Sequence, residues 1–334
     1  MNLDVLIPSL LLPAPIQTLF PPPTVPAIER LFARADRRVE GTPAGSSWLC
    51  NCWGVAAPYP IAAILAEHDG LDTLNEGWMF AEPVHLLPDR DRLKLFPARF
   101  LELNAVETAA LVSALNSHFA DRNLHFYAPT PARWYLRCAP SEIPDTTPPD
   151  AARIGSLSDF QPKSTGKMDW RSVQNEAQML FFAHPANEAR EASGKPGVSG
   201  VWFWGGGVLP ELKKPAYDRV VTSLPLAAQL AKKTGIEVQA LSWHSIQSAQ
   251  GNVLAVLDSC ADFAANADFP AWGREIERLD REWFLPMSQA LDKGAIRRLC
   301  FHLPDAERTL SFHLTRRDQL LRFWRTAKAL SRYA

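Results

Sequence analysis

The sequence is poor in cysteine, in net charge and in long apolar runs, and each shortage excludes a class of protein. Its five cysteines among 334 residues are odd in number and scattered, which fits a reducing cytoplasm better than a disulfide framework. The formal net charge of -1 gives no general attraction to nucleic acid or to an anionic membrane. No apolar stretch reaches the length of a bilayer span. We therefore expect a cytoplasmic protein that binds neither nucleic acid nor membranes.

The sequence also lacks the short motifs by which many enzymes bind phosphates or activate a nucleophile. It contains no P-loop, no Rossmann glycine pattern and no G-x-S-x-G turn. Hydrophobic residues, in contrast, make up 47% of the chain, which is ample for a sizeable core. Hypotheses about chemistry must therefore start from individual polar residues near predicted strand ends.

Three short apolar runs, at residues 3–7, 200–204 and 253–257, predict a mostly parallel central sheet flanked by helices. The three runs are separated by helical patterns, which is typical of an α/β fold. Residues 81–160 instead read as strand, helix, strand and strand, and end in a proline-rich linker. We predict an α/β core formed by residues 1–80 and 161–334, with a small α+β subdomain inserted at residues 81–160.

The segment from residue 175 to residue 210 carries the first hypothesis about a ligand. Three glycines follow the predicted buried strand at once, and open α/β sheets bind ligands beyond the carboxyl ends of their strands. Glycine N–H groups can face an anion, and Arg190 could grip a phosphate or carboxylate bidentately. The predicted ligand-binding residues are Asn175, His184, Asn187, Arg190, Gly205, Gly206 and Gly207. The alternative is a tight glycine turn, with Arg190 anchoring a local turn to a nearby carboxylate.

Two aspartates follow the third apolar run. Asp258 comes directly after it and Asp262 four residues later, so both could share one helix face and hold a magnesium ion. The alternative for Asp258 is a helix N-cap. His302 and His313 lie on the two strands of a predicted hairpin, where a lone histidine is usually structural. No catalytic residue is assigned, and the candidates are Asp258, Asp262 and His302.

The chain from residue 316 to residue 332 contains six basic residues and one acidic residue. A basic amphipathic helix of this kind can bind a membrane or an acidic partner. The alternative is a solvated helix that packs on the protein through Leu320, Leu321 and Trp324.

Residues 175–210, NEAQMLFFAHPANEAREASGKPGVSGVWFWGGGVLP, resemble the hallmark of the RpfE-type family of bacterial regulatory proteins. The stretches EPVHLLPDRDRLKL at residues 82–95 and ARWYLR at residues 132–137 resemble the same family. This resemblance implies a regulatory role. The long segment is also similar, more distantly, to the archaeal type of cofactor-independent phosphoglycerate mutase. That similarity implies an alkaline-phosphatase-like α/β fold with an inserted domain.

The mutases of that type need a nucleophilic serine and two metal ions held by aspartate and histidine, and this chain departs from their pattern. Pro8 and Ser9 stand where the resemblance requires Asp-Gly, and Asp262 stands where it requires histidine. The resemblance therefore implies a non-catalytic relative, without metal or cofactor, that regulates through a protein partner or a phosphorylated small molecule. The alternative is a phosphoryl-transfer enzyme, of the mutase or phosphatase type, with Mn²⁺ or Mg²⁺ at Asp258, Asp262 and His302.

Overall fold

The computed structural model describes residues 1–41, 45–89, 92–149, 162–163, 166–305 and 308–333. The chain forms two compact units, one made of Met1–Val55 with Leu212–Ala334 and one made of Ala56–Glu211. The second unit is thus a continuous segment that extends beyond the predicted subdomain at 81–160 on both sides. None of the helices in the described ranges is long and apolar enough to cross a membrane.

Twelve strands are found in the described residues: β1 (Asn2–Leu6), β2 (Asp36–Glu40), β3 (Gly77–Asp89), β4 (Arg92–Phe96), β5 (His125–Thr130), β6 (Arg133–Cys138), β7 (Gly200–Gly207), β8 (Arg219–Val221), β9 (Glu237–Gln239), β10 (Asn252–Val256), β11 (Arg298–Pro304) and β12 (Thr309–Thr315). The α-helices of the same residues are α1 (Ala14–Leu19), α2 (Pro26–Arg34), α3 (Gly45–Cys52), α4 (Ile61–His68), α5 (Ala105–His118), α6 (Trp170–Phe182), α7 (Pro185–Ala192), α8 (Pro225–Lys233), α9 (Trp243–Gln247), α10 (Ser259–Ala265), α11 (Phe269–Leu279), α12 (Leu285–Asp292) and α13 (Arg316–Leu321). A π-helical turn, Asp280–Phe284, joins α11 to α12.

The first unit is built on a seven-stranded sheet in the order β2-β12-β11-β1-β10-β8-β9. The five strands from β11 to β9 pair in parallel, whereas β12 pairs antiparallel with both of its neighbours, β11 and β2. The parallel pairing of β1 with β10 confirms the prediction for residues 3–7 and 253–257. The predicted hairpin of β11 and β12 is also present.

One face of this sheet is covered by a large apolar cluster. Leu3 and Val5 point into it from β1, Ile7 follows directly after that strand, and Phe32 of α2 and Trp272 of α11 pack there. Because successive side chains of a strand alternate between faces, Asp4 lies on the opposite face. A buried carboxylate in the middle of a central strand therefore needs polar partners on that face.

The second unit contains an antiparallel sheet in the order β4-β3-β6-β5, with β7 paired to β3. The prediction that residues 200–204 belong to the parallel sheet is therefore wrong. The run is apolar throughout because both faces of β7 are covered here as well. Val201 and Phe203 pack with Trp170 of α6, and Trp202 packs with Val84 on the other face. Burial of both faces does not require parallel pairing.

Candidate functional site

Asn187, one of the predicted ligand residues, is a buried structural clamp. Its amide nitrogen donates hydrogen bonds to the carbonyl oxygens of Phe181 and Val198, both at 2.8 Å. Its Oδ1 accepts the N–H of Val198, also at 2.8 Å. Both amide hydrogens and the carbonyl oxygen are thus occupied by backbone groups. Asn187 holds the end of α6 to the chain that enters β7.

Arg190 is 1% exposed and is fully engaged inside the second unit. Its Nη1 lies 2.8 Å from Oε2 of Glu107 in α5, and its Nε donates to the carbonyl oxygen of Pro196 at 2.9 Å. Its Nη2 donates to the carbonyl oxygen of Leu101. These contacts match the alternative in which Arg190 anchors a local turn to a nearby carboxylate.

The three glycines of β7 provide space for their neighbours. A Cβ atom on Gly207 would lie 2.4 Å from Cβ of Pro60, and one on Gly206 would lie 2.7 Å from Cγ2 of Ile143. Gly205 has a φ of +65°, and a Cβ there would lie 3.2 Å from the ring of Phe80. Since β7 is an antiparallel strand, the glycines do not lie at the carboxyl edge of a parallel sheet.

The remaining two ligand candidates differ in exposure and in role. Nδ1 of His184 accepts the N–H of Ala186 at 3.1 Å and caps α7. Asn175 is exposed on α6. Ligand binding by these residues, together with Asn187, Arg190 and the glycines, stays a prediction. The described contacts give several of them a structural role.

Asp258 and Asp262 lie near each other, at the carboxyl end of β10 and on α10. Asp258 makes no side-chain cap hydrogen bond, and its Oδ1 accepts from Oγ of Ser223 at 3.4 Å. Burial, followed by the negative charge of Asp262, raises the pKa of Asp258. The charged groups that act on His302 are Asp4, His313 and Arg298. Among the described residues, Asp258, Asp262 and His302 are not a group of three whose ligand atoms all lie within 4.8 Å of one another. Their catalytic role stays a prediction.

His302 belongs instead to a cluster with Asp4 and Cys300. Asp4 of β1 pairs with Cys300 of β11, and His302 follows two residues later on the same strand. These three side chains therefore share one face of the sheet. One ligand atom from each lies within 4.8 Å of the other two, and all three residues are buried. In the described part of the chain, no other group of three such side chains is found.

Polar neighbours hold each member of this cluster. Tyr217 donates its hydroxyl to Oδ2 of Asp4 at 3.0 Å, and Nη2 of Arg298 lies 3.3 Å from Oδ1. Nδ1 of His302 lies 3.1 Å from Oγ of Ser311, which donates to Oε1 of Glu40 at 2.7 Å. The indole of Trp48 covers the His302 ring, with centroids 4.6 Å apart. Sγ of Cys300 lies 3.4 Å from Nδ1 of His313.

Burial is the main cause of the pKa shifts of His302 and Cys300. It lowers the pKa of His302 to about 4, so that the imidazole is neutral near pH 7. Burial also raises the pKa of the Cys300 thiol, with a further contribution from the negative charge of Asp4. A neutral imidazole, a carboxylate and a cysteine that loses its proton on binding are the donor set that borderline-soft divalent ions prefer.

Sequence reasoning singled out His302 and missed Asp4, Cys300 and Ser311. The available signal was an aspartate inside the apolar stretch NLDVLI, together with the two-residue spacing of Cys300 and His302. Neither signal identifies its partner strand, because β1 and β11 are separated by nearly the whole chain.

No protein-family model and no curated protein matches this chain. Solved structures similar to it include the following two. The cofactor-independent phosphoglycerate mutase from Thermoplasma acidophilum DSM 1728 is 15% identical, with a TM-score of 0.48 over 100% of this chain and 95% of that chain. The PH0037 protein from Pyrococcus horikoshii is 14% identical, with a TM-score of 0.54 over 94% of this chain and 87% of that chain. At this identity the likeness to PH0037 concerns the fold alone: this chain is an α/β protein that shares its architecture.

Proposed function

We propose that this chain is a non-catalytic relative of the cofactor-independent phosphoglycerate mutases, of the RpfE type, that regulates in the cytoplasm by binding a ligand or a protein partner. The observation that carries the proposal is the composition of the group of side chains that could hold a metal ion. Two-metal phosphoryl transfer needs ligands for both ions, since the ions stabilise the attacking and the leaving oxygen. Asp4, Cys300 and His302 form the one such group in the described residues, and they contribute a single carboxylate.

The alternative function is phosphoryl transfer with Mn²⁺ or Mg²⁺ at Asp258, Asp262 and His302. Both ions prefer oxygen ligands, and Asp258 and Asp262 offer carboxylate oxygens. His302, however, faces Asp4 and Ser311, and the described contacts do not bring it to the aspartates. These contacts favour the non-catalytic function over a two-metal centre at these residues.

We expect the purified protein to show no phosphoglycerate mutase turnover and no phosphatase turnover, with Mn²⁺ or Mg²⁺ supplied in excess. The physical reason is the incomplete ligand set. Coupled assays with 3-phosphoglycerate and a chromogenic phosphate monoester measure this directly. Turnover that rises with Mn²⁺ and disappears in the Asp258→Asn variant would establish the enzyme instead. Asp292→Asn, which changes an exposed aspartate at the end of α12, controls for general loss of charge.

An exposed apolar surface favours a protein partner. Leu320, Leu321, Phe323 and Trp324, which we name the C-terminal apolar surface, are 52–72% exposed. The prediction that Leu320, Leu321 and Trp324 pack on the protein is therefore wrong. Contiguous exposed apolar side chains with a polar rim are typical of protein contact sites.

The C-terminal apolar surface is held in place and is surrounded by positive charge. Gln319 is buried and donates to Oγ of Ser288 at 3.2 Å, and Arg322 donates to the carbonyl oxygen of Arg34 at 2.9 Å. These anchors prepare the surface before any partner binds, which lowers the entropic cost of association. The exposed basic residues on either side are Arg316, Arg317, Arg325 and Lys328. Charge complementarity therefore favours an acidic protein partner.

Replacing both Leu320 and Trp324 by serine is expected to change the melting temperature by less than about 2 °C, because side chains this exposed add little to stability. The fluorescence of a hydrophobic dye such as anilinonaphthalene sulfonate should fall in the same variant. Differential scanning fluorimetry with a dye-free readout and a dye titration measure the two effects. A large drop in melting temperature would mean that the surface is part of the core of the first unit.

A further inference from the structure

Strand pairing brings Asp4, Cys300 and His302 together on one face of the sheet. Parallel pairing sets Asp4 opposite Cys300 on neighbouring strands, and the two-residue period of β11 brings His302 to the same face. The three residues are at least nine-tenths buried. Central strands of a seven-stranded sheet hold their Cα positions firmly, which is the support a precise ligand geometry requires.

Hydrogen bonding fixes the tautomer of His302. The hydroxyl of Ser311 has one hydrogen, and it donates that hydrogen to the carboxylate of Glu40, which can only accept. Oγ of Ser311 is therefore the acceptor in its 3.1 Å contact with Nδ1 of His302, so that Nδ1 carries the imidazole hydrogen. The lone pair of the neutral ring then lies on Nε2. Nε2 is buried and has no hydrogen-bond partner in the described residues.

An imidazole whose Nδ1–H is held by an outer hydrogen bond, with Nε2 left free, is the usual arrangement of a metal-binding histidine. Here Ser311 and Glu40 supply the outer bond. A buried lone pair without a donor is costly unless a cation or a donor meets it. The nearby carboxylate of Asp4 and the sulfur of Cys300 are acceptors or ligands, not strong donors.

We propose that Asp4, Cys300 and His302 together bind one divalent ion with an affinity for sulfur, such as Zn²⁺. A thiolate ligand selects Zn²⁺ over Mg²⁺ and Mn²⁺. Metal binding replaces the proton of the Cys300 thiol, which is released to solvent, so that the thiolate and the carboxylate of Asp4 together balance the charge of the ion. Ligand atoms that already lie within 4.8 Å of one another reach metal distances of about 2.0–2.3 Å through small side-chain rotations. Water or a small anion completes the four-coordinate shell.

Metal binding requires Arg298 to move away from Asp4. It lies 3.3 Å from Oδ1 of Asp4, where it balances the carboxylate, and its side chain is 47% exposed. An ion at the cluster takes over that balance, and the guanidinium can turn to solvent at little cost because the side chain of Arg298 is already half exposed. Tyr217 keeps its hydrogen bond to Oδ2 and orients the carboxylate.

Co²⁺ titration of the full chain tests this inference, since a cobalt–thiolate bond gives a charge-transfer band in the near ultraviolet. We expect one Co²⁺ per chain, displaced by one Zn²⁺, and loss of the band in Cys300→Ser. Cys260→Ser is the matched control, because Cys260 is an equally buried cysteine of the same unit outside the cluster. It should keep the band. Absence of a band in the wild type, or a band that persists in Cys300→Ser, would overturn the site.

Two further variants separate a ligand role from a structural one. Asp4→Asn keeps the size of the side chain and should weaken Co²⁺ binding by more than about tenfold, whereas unchanged affinity in the folded variant contradicts the site. Ser311→Ala should keep the band and weaken binding by about 10–100-fold, because it removes the outer hydrogen bond of His302. If Ser311 only packs, the melting temperature changes and the Co²⁺ affinity does not. These readouts are independent of the mutase assay, so this inference and the proposed function can fail separately.

Discussion

Replacing Arg190 by alanine is expected to lower the free energy of unfolding by about 3–5 kcal/mol, the usual cost of removing one partner from a buried ion pair. The guanidinium is 1% exposed and connects Glu107 with the carbonyl oxygens of Pro196 and Leu101. Its removal leaves a largely buried carboxylate and two carbonyl groups without their donor, and also opens a cavity among them. Urea unfolding followed by circular dichroism measures the loss.

Arg171→Ala is the matched control for Arg190→Ala. Arg171 lies on α6 in the same unit and is exposed, so its removal should change the free energy of unfolding by less than about 0.5 kcal/mol. Phosphorylated metabolites should be screened by thermal shift on both variants and on the wild type. If the Arg190→Ala variant is stable and loses a thermal shift that the wild type shows with such a metabolite, Arg190 binds a ligand and its role is not mainly structural.

The parts of the fold that the sequence predicted are those governed by local patterns. The runs around Leu3 and Val253 are apolar, short and separated by helical periodicity, and they pair in parallel as expected. The hairpin of β11 and β12 follows from two strand patterns joined by a turn, and short connections favour antiparallel neighbours. The two strands of the hairpin are neighbours in sequence. For the strands around Leu3 and Val253, which are distant in sequence, the α/β fold class already favours parallel pairing in one sheet.

The strand at residues 200–204 was assigned to the wrong sheet because an apolar run reports burial, not pairing direction. Trp202 and Phe203 point to opposite faces of β7, and both faces are covered. Parallel central strands are commonly covered in this way, but an antiparallel strand between helices and a second apolar cluster looks the same in sequence. For the same reason the prediction that the glycines lie at the carboxyl edge of a parallel sheet is wrong.

The candidate site was predicted only through His302, because its chemistry arises from register between distant strands. Asp4 and Cys300 are neighbours through one parallel pairing, and no local pattern encodes that pairing. The tautomer of His302 depends further on Ser311 and on Glu40 of β2. A sequence pattern can show that an aspartate interrupts an apolar strand, but the partner of that aspartate is a property of the sheet.

Replacing Gly207 by alanine is expected to lower the free energy of unfolding by about 1–3 kcal/mol, the usual cost of overpacking a filled site. The new Cβ atom would lie 2.4 Å from Cβ and 3.2 Å from Cα of Pro60. The ring of a proline is rigid and part of these contacts is backbone, so the neighbour cannot rotate away. At Gly206 the clash is with a single side-chain atom, Cγ2 of Ile143 at 2.7 Å, and the nearest backbone atom, the carbonyl oxygen of Trp78, is 3.8 Å away. Gly206→Ala should therefore cost less than Gly207→Ala.

Gly41→Ala is the control for Gly207→Ala, because a Cβ atom at Gly41 would meet nothing within 4 Å. It should leave the urea midpoint unchanged or raise it slightly, since alanine has less backbone freedom than glycine in the unfolded chain. The order Gly207, Gly206, Gly41 in decreasing cost is the signature of packing. A ligand pocket adds a second effect: if the N–H of Gly207 faced an anion, phosphorylated metabolites would raise the melting temperature of the wild type, and the new Cβ atom of Gly207→Ala would block the anion and abolish that shift. Thermal and urea unfolding of the three variants, each with and without those metabolites, distinguish the two, because a steric clash with Pro60 acts whether or not a ligand is present.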